Sequence, residues 1–387
     1  MKTKFLIILS AILLVSCKQN SQAMPSAKTE NLSTQPTEES QQKIQVALLL
    51  DTSNSMDGLI EQAKSRLWNI VNTLTTLKYD GKSPDIEIAL YEYGNDNISS
   101  ETDWVRQIVP LTKDLDEISE KLFALRTRGG TEYCGSVIHN ASKNLEWVSG
   151  NSHSLKLIYI AGNEPFNQQG YNYKEAISEA RSKNIYINTI HCGGYEEGIS
   201  TFWKDGADLG EGKYFNIDSN KKVIFIPTPY DDVLNKCNTK LNDTYINYSN
   251  AGASYKTKQM VQDKLSESVS SANLVERTVS KSKVAAYDNS HWDLVDSYKK
   301  DKEFLKKVKK EELPAEFKGK TEAEIVEIAK KKAEERLVLQ KEIEELAVKR
   351  QKFIDQEMKT RGENTDDLGK AIEKSIIEIA TKNGFKV

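Results

Sequence analysis

An excess of either charge is missing from this chain. Its 387 residues carry 54 Lys and Arg against 57 Asp and Glu, a formal charge of −3. No basic excess is available to hold nucleic acid, and no nucleic-acid motif accompanies the balance. Long apolar runs are missing too. Beyond Val15, no run approaches the roughly 20 residues that a membrane-spanning helix requires. Histidine is scarce, and His139, His153, His191 and His291 lack the spacing of a zinc site. His191 adjoins Cys192, but neighbours on a strand point to opposite faces, so adjacency alone makes no thiol–imidazole pair. No recognised catalytic spacing surrounds any acidic pair. These absences argue against nucleic-acid binding, a polytopic membrane protein, a zinc module and a thiol enzyme.

The N-terminus is the first positive feature. Lys2 and Lys4 precede the apolar run Phe5 to Val15, which is too short to span a bilayer and reads as a secretory signal over residues 1–16. Leu14-Val15-Ser16-Cys17 resembles a bacterial lipobox. The resemblance implies cleavage before Cys17 and lipid on its thiol; an ordinary signal with an incidental Cys is the other reading. Lys18, not Asp, follows Cys17, and likeness to sorted lipoproteins then implies the outer membrane, facing either the periplasm or the exterior. Residues 17–42 are rich in Ser, Gln, Thr, Glu and Asn and cannot bury a core, so they read as anchor and tether. Membrane contact is expected through lipid alone.

Next comes an apolar, β-branched run, Ile44 to Leu50, which reads as a buried strand. Asp51-Thr52-Ser53-Asn54-Ser55 follows, then a helical pattern with apolar residues at 60, 63, 67, 70, 71 and 74. A carboxylate and two hydroxyls therefore stand on a loop at the C-terminal end of a strand, the edge where open α/β sheets bind ligands. Oxygen donors of this kind suit a hard cation, magnesium, manganese or calcium. Ser53 and Ser55 equally suit the caps of the following helix, and spacing leaves both readings open.

Strands and helices then alternate. Ile86 to Gly94 reads as a strand, Val109-Pro110-Leu111 as a connector and Asp114 to Leu125 as a helix. After Gly129-Gly130-Thr131 come a helix through Leu145, a strand at Leu157, a helix over Tyr173 to Ser182 and a strand at Ile185. Trp203 to Ala207 reads as a packing loop, Gly212 to Ile217 as a short strand, and Asp231 to Leu241 as a helix. The fold class this predicts is α/β, a doubly wound, mainly parallel, Rossmann-like sheet.

Asp-x-Ser-x-Ser after an apolar strand looks like the metal-ion-dependent adhesion site (MIDAS) of the von Willebrand factor type A domain. Gly129-Gly130-Thr131-Glu132 is similar to that family's Gly-Gly-Thr element. The family's third element, Thr-Asp-Gly after a strand, corresponds to Ala161-Gly162-Asn163, so Gly162 stands where the Asp would be. Asn163 or Glu164 is left to substitute. The resemblance covers residues 43–245. It implies a divalent cation, Mg2+ first, held by Asp51, Ser53, Ser55, Thr131 and Glu164, with a protein partner's carboxylate completing the shell. It also places Cys134 and Cys192 near one edge of the sheet and implies a bond between them, leaving Cys237 free; three buried thiols is the alternative.

Residues 246–387 change in composition and read as a helical region. Thr321-Glu322-Ala323-Glu324 matches a capping box and opens a long charged helix to about Arg361. Leu339, Ile343, Leu346 and Phe353 fall near a 3.5-residue repeat, but Lys332 and Arg350 interrupt the stripe. That favours a helix packed on another helix over a true coiled coil. A last helix is expected over Thr365 to Lys382. Three functions follow: a cation-dependent binding module; a degenerate scaffold acting without metal, with the C-terminal helices mediating assembly; and a metal-assisted hydrolase using Glu132 and Glu164. The last lacks a catalytic spacing, and the first is the principal expectation.

Overall fold

Strand β1 (Lys43–Asp51) is buried along its whole length after Lys43, which requires cover on both faces. The computed structural model describes residues 42–149, 153–361 and 368–387. The expected signal, Cys17 and the tether up to residue 41 lie outside the described residues. Around β1 lie β2 (Asp85–Tyr93), β3 (Val105–Thr112), β4 (Leu155–Gly162), β5 (Ile185–His191) and β6 (Glu211–Asn216). Their order is β3-β2-β1-β4-β5-β6, parallel throughout except for β3. The expected connector at Val109-Pro110-Leu111 is thus part of an antiparallel edge strand. Pro110 is exposed and lacks an amide donor, and only an edge strand with a shifted register accommodates it.

Helices α1 (Asp57–Thr76) and α2 (Leu115–Ala124) cover one face; α3 (Cys134–Asn144) and α4 (Tyr173–Ser182) cover the other. Val46, Leu48 and Leu50 pack with Leu67, Ile70 and Leu122 on the first face. Ala47 and Leu49 pack with Val137, Ile138 and Ile177 on the second. The period of two along β1 therefore feeds two cores. Short helices α5 (Tyr195–Ser200) and α6 (Trp203–Leu209) follow β5. The expected packing loop at Trp203 is helical; Phe202 turns the chain in a left-handed conformation, and Trp203 plugs the core behind it.

Beyond β6 come α7 (Asp231–Asn242), α8 (Gly252–Val269), α9 (Ser271–Ser282), α10 (Leu294–Lys300), α11 (Glu322–Arg361) and α12 (Leu368–Lys382). Ile372, Ile376 and Ile379 of α12 enter the same cluster as Leu48 and Tyr159, and the Tyr159 hydroxyl bonds Ser375. The end of the chain then pairs with the turn after α1, Lys78 and Lys386 exchanging backbone bonds of 2.8 Å. The last helix thus finishes the apolar cover of the sheet. Ile376→Ala should cost about 2–5 kcal/mol, measured by urea unfolding, because the side chain is fully buried between α12 and the sheet.

The capping box is formed: the Thr321 amide donates to Glu324 at 2.7 Å and the Glu324 amide to Thr321 at 3.3 Å. Arg350, an interruption in the apolar stripe, docks α11 by bonding Asp231 on α7 and Glu276 on α9. Arg336 does the same, reaching Asp293 at 2.7 Å and Asp296 at 2.6 Å while lying over the Tyr245 ring at 4.0 Å. Among the described residues no helix is long and apolar enough to cross a membrane.

Candidate metal site

Asp51 ends β1 and is wholly buried. Its Oδ1 accepts the Ser53 amide at 2.7 Å, which folds the loop back over the strand end. Its Oδ2 is buried without a hydrogen-bond partner. The Ser53 and Ser55 hydroxyls lie 3.2 Å apart, and Ser55 donates to Asn163 Oδ1 at 3.3 Å. Neither serine caps a helix through its side chain, so the capping reading of the two hydroxyls is not realised. The loop carrying Thr131 is pinned here by three bonds: Asn54 N to Gly129 O at 2.8 Å, Gly129 N to Asn54 Oδ1 at 3.0 Å, and Arg128 N to Thr52 O at 2.9 Å. Thr131 is half-buried on that loop. Glu164, also half-buried, is fixed through its carbonyl, which accepts Trp203 Nε1 at 2.9 Å.

Burial pushes the Asp51 carboxyl up to about 7; the bonds from Ser53 oppose this, and the carboxylates of Glu132 and Glu164 add to it. Glu132 is pushed up as well, by burial and then by Glu164. Glu132 lay outside the expected ligand set, although it directly follows Thr131. Among the described residues no three His, Cys, Asp or Glu side chains form a group able to hold an ion unaided. A cation here needs the hydroxyls as well as the acids. The donors suit one: a buried, unpartnered carboxylate oxygen and paired hydroxyls are oxygen ligands for a hard ion.

Gly162 has a local explanation. A Cβ on it would stand 2.5 Å from the Tyr93 hydroxyl and 3.0 Å from Asp51 Oδ2. Tyr93 donates to the Ala161 carbonyl at 3.0 Å and fills the room that a β4 side chain would need. The expected Cys134–Cys192 bond is not made. Cys134 packs in the α3 cluster and Cys192 in the α1 cluster, on opposite faces of the sheet, and both thiols are free. Burial pushes both thiols well up, away from the reactive thiolate. His191 is buried, with its ring nitrogens 3.2 and 3.3 Å from the Gly194 and Asn163 carbonyls, where it joins two loops.

Residues 45–223 match the family model of the von Willebrand factor type A domain. The matched segment carries the mostly parallel sheet and flanking helices of a von Willebrand factor type A (VWA)-like fold. The match includes the Asp51 loop, the Gly-Gly-Thr loop and β4 with its Gly162. No curated protein matches the chain. Among solved structures, the conserved hypothetical protein BatB from Bacteroides thetaiotaomicron is 17% identical, with a TM-score of 0.35, over 45% of this chain and 90% of BatB. The SpRpn10 VWA domain is 18% identical, TM-score 0.35, over 46% of this chain and 89% of that one. Proximal thread matrix protein 1 of the mussel byssus, solved with zinc in its MIDAS motif, is 14% identical, TM-score 0.35, over 47% of this chain and 43% of that one.

Proposed function

We propose that the VWA domain binds a divalent cation, magnesium before manganese or calcium, and through it captures a protein partner. Asp51, Ser53 and Ser55 would hold the ion, with Thr131 and Glu164 bearing on it directly or through water. A partner's carboxylate would complete the shell. The observation that carries this reading is the buried, unpartnered Asp51 Oδ2. A buried acceptor left unpaired costs about 1–3 kcal/mol, more when charged, and a cation removes that cost while supplying local positive charge. Ser55, Asn54 and Gly130 are exposed, so the site opens to solvent where a partner would approach. The role is binding, not catalysis. We place the domain on the bacterial envelope, lipid-anchored through Cys17, with the outer membrane as the expected address.

Titration calorimetry with Mg2+ and Mn2+ on the chain from residue 18, beside Asp51→Ala, tests this. Saturable binding lost in a variant that still melts cooperatively is the expected result. Full binding by Asp51→Ala would overturn it. One observation favours a second reading, a scaffold acting without metal: the Tyr93 hydroxyl occupies the room of the missing β4 carboxylate. Wild-type protein that binds neither ion would support that reading, with the C-terminal helices carrying assembly.

A further inference from the structure

We infer that Glu132 is the second carboxylate of the cation site, taking the part that β4 leaves vacant at Gly162. The inference rests on the cation reading above and adds a ligand to it.

No acid can enter from β4 at this place, because the Tyr93 hydroxyl and Asp51 crowd any side chain on residue 162. Glu132 comes from the Gly-Gly-Thr loop, directly after Thr131. It is 8% exposed, unusually low for a glutamate. Its side chain runs past two glycines. A Cβ at Gly94 would sit 2.7 Å from Glu132 Cγ and 3.1 Å from Asp51 Oδ1. A Cβ at Gly130 would overlap Glu132 Oε1 and approach Ser53 Cβ at 2.9 Å. The Glu132 stem thus lies beside the Asp51 carboxylate and its own carboxylate beside Ser53, in room that exists because residues 94 and 130 have no side chains. Gly94 has a φ of +76°, so its lack of a Cβ also serves the turn after β2.

Two acids brought together inside a protein repel unless a proton or a cation sits between them. The unpartnered Asp51 Oδ2, on a fully buried residue, is an independent sign that an acceptor here awaits a partner. Glu164 lies farther out, half-buried on the loop after β4, and the described residues form no cluster of three acids around one ion. The pair that shares the glycine-cleared space is Asp51 and Glu132.

The test uses Mn2+ as the probe on the full chain. Calorimetry and the Mn2+-induced rise in melting temperature would be measured for wild type, Asp51→Ala, Glu132→Gln and Glu164→Gln. Glu132→Gln should weaken Mn2+ binding by roughly tenfold or more, and its thermal response to Mn2+ should shrink in proportion. In chelator it should melt no lower than wild type, because a buried charge has been removed. Glu164→Gln should lose less affinity than Glu132→Gln, as expected of a group that bears on the ion only through water. If Glu132→Gln does not fold, Glu132→Asp keeps the charge, shortens the reach and should show the same loss. Binding by Glu132→Gln equal to wild type, with Asp51→Ala inert, would overturn the assignment and leave the cation reading standing. Wild type that takes up no Mn2+ would overturn both.

Discussion

Replacing Asp51 by Asn is expected to stabilise the metal-free protein at neutral pH and to end its response to Mg2+ and Mn2+. The folded-state carboxyl lies at about 7, against 3.8 for the free group, chiefly because it is buried. Between those values the folded chain holds a proton that the unfolded chain has released. Stability therefore falls as pH rises from about 4 to about 7, and the full penalty is present above 7. Three pKa units correspond to about 4 kcal/mol as an upper bound. Asn keeps the bond from the Ser53 amide at Oδ1 and carries no charge, so its pH slope over this window should flatten. A bound cation reverses the sign, since it competes with the proton and affinity should rise with pH through 7. Thermal melts in chelator at pH 5 and pH 8 decide the matter. A variant that melts lower than wild type at pH 8, with the same slope, would mean that Asp51 is stabilised by partners other than an ion.

The Asp51 loop was legible because every part of it is local. An apolar strand, a five-residue loop and an amphipathic helix follow one another without a gap, so spacing alone places the donors at the sheet edge. Elements whose identity depends on distant partners were not legible. Pro110 argued against a strand, and only the position of β3 at the edge, with a shifted register, makes the proline tolerable. Trp203 looked like part of a loop because α6 is seven residues long and begins after a left-handed Phe202. Arg350 looked like a fault in an apolar stripe, and no local pattern marked Arg336; their acidic partners come from elsewhere in the chain, and the two fix α11 in place. Glu132 stood in plain view beside Thr131. Its inward turn depends on Gly130 and on Gly94, on a separate strand end, and no local pattern connects them. The last helix was recognised by its periodic apolar face, but the sequence does not say that the face closes the distant sheet formed by β1 to β6.

The largest loss of stability is expected at Arg277. Its guanidinium is fully buried in α9 and bonds Asp263 of α8 and Asp116 of α2, each at 2.6 Å, and the Gln259 carbonyl at 3.0 Å. It lies over the Trp68 ring of α1 at 4.7 Å. One side chain thus joins α1, α2, α8 and α9. The neighbouring cations hold Asp263 well below the usual carboxylate range against the effect of burial. Arg277→Ala would leave Asp116 with the Tyr287 hydroxyl and Asp263 with Lys281 and two asparagines. Breaking a buried ion pair from one side costs about 3–5 kcal/mol, because the remaining charge is stranded. Arg277→Met combined with Asp116→Asn should be far milder, since volume is retained and the stranded charge removed. The network shares no residue with the Asp51 site, so folded Arg277→Ala should bind Mn2+ with wild-type affinity at low temperature. Urea unfolding of the three proteins checks the first expectation and calorimetry the second. A loss below about 1 kcal/mol for Arg277→Ala would show that its ion pairs do not hold α8 and α9 against α1 and α2.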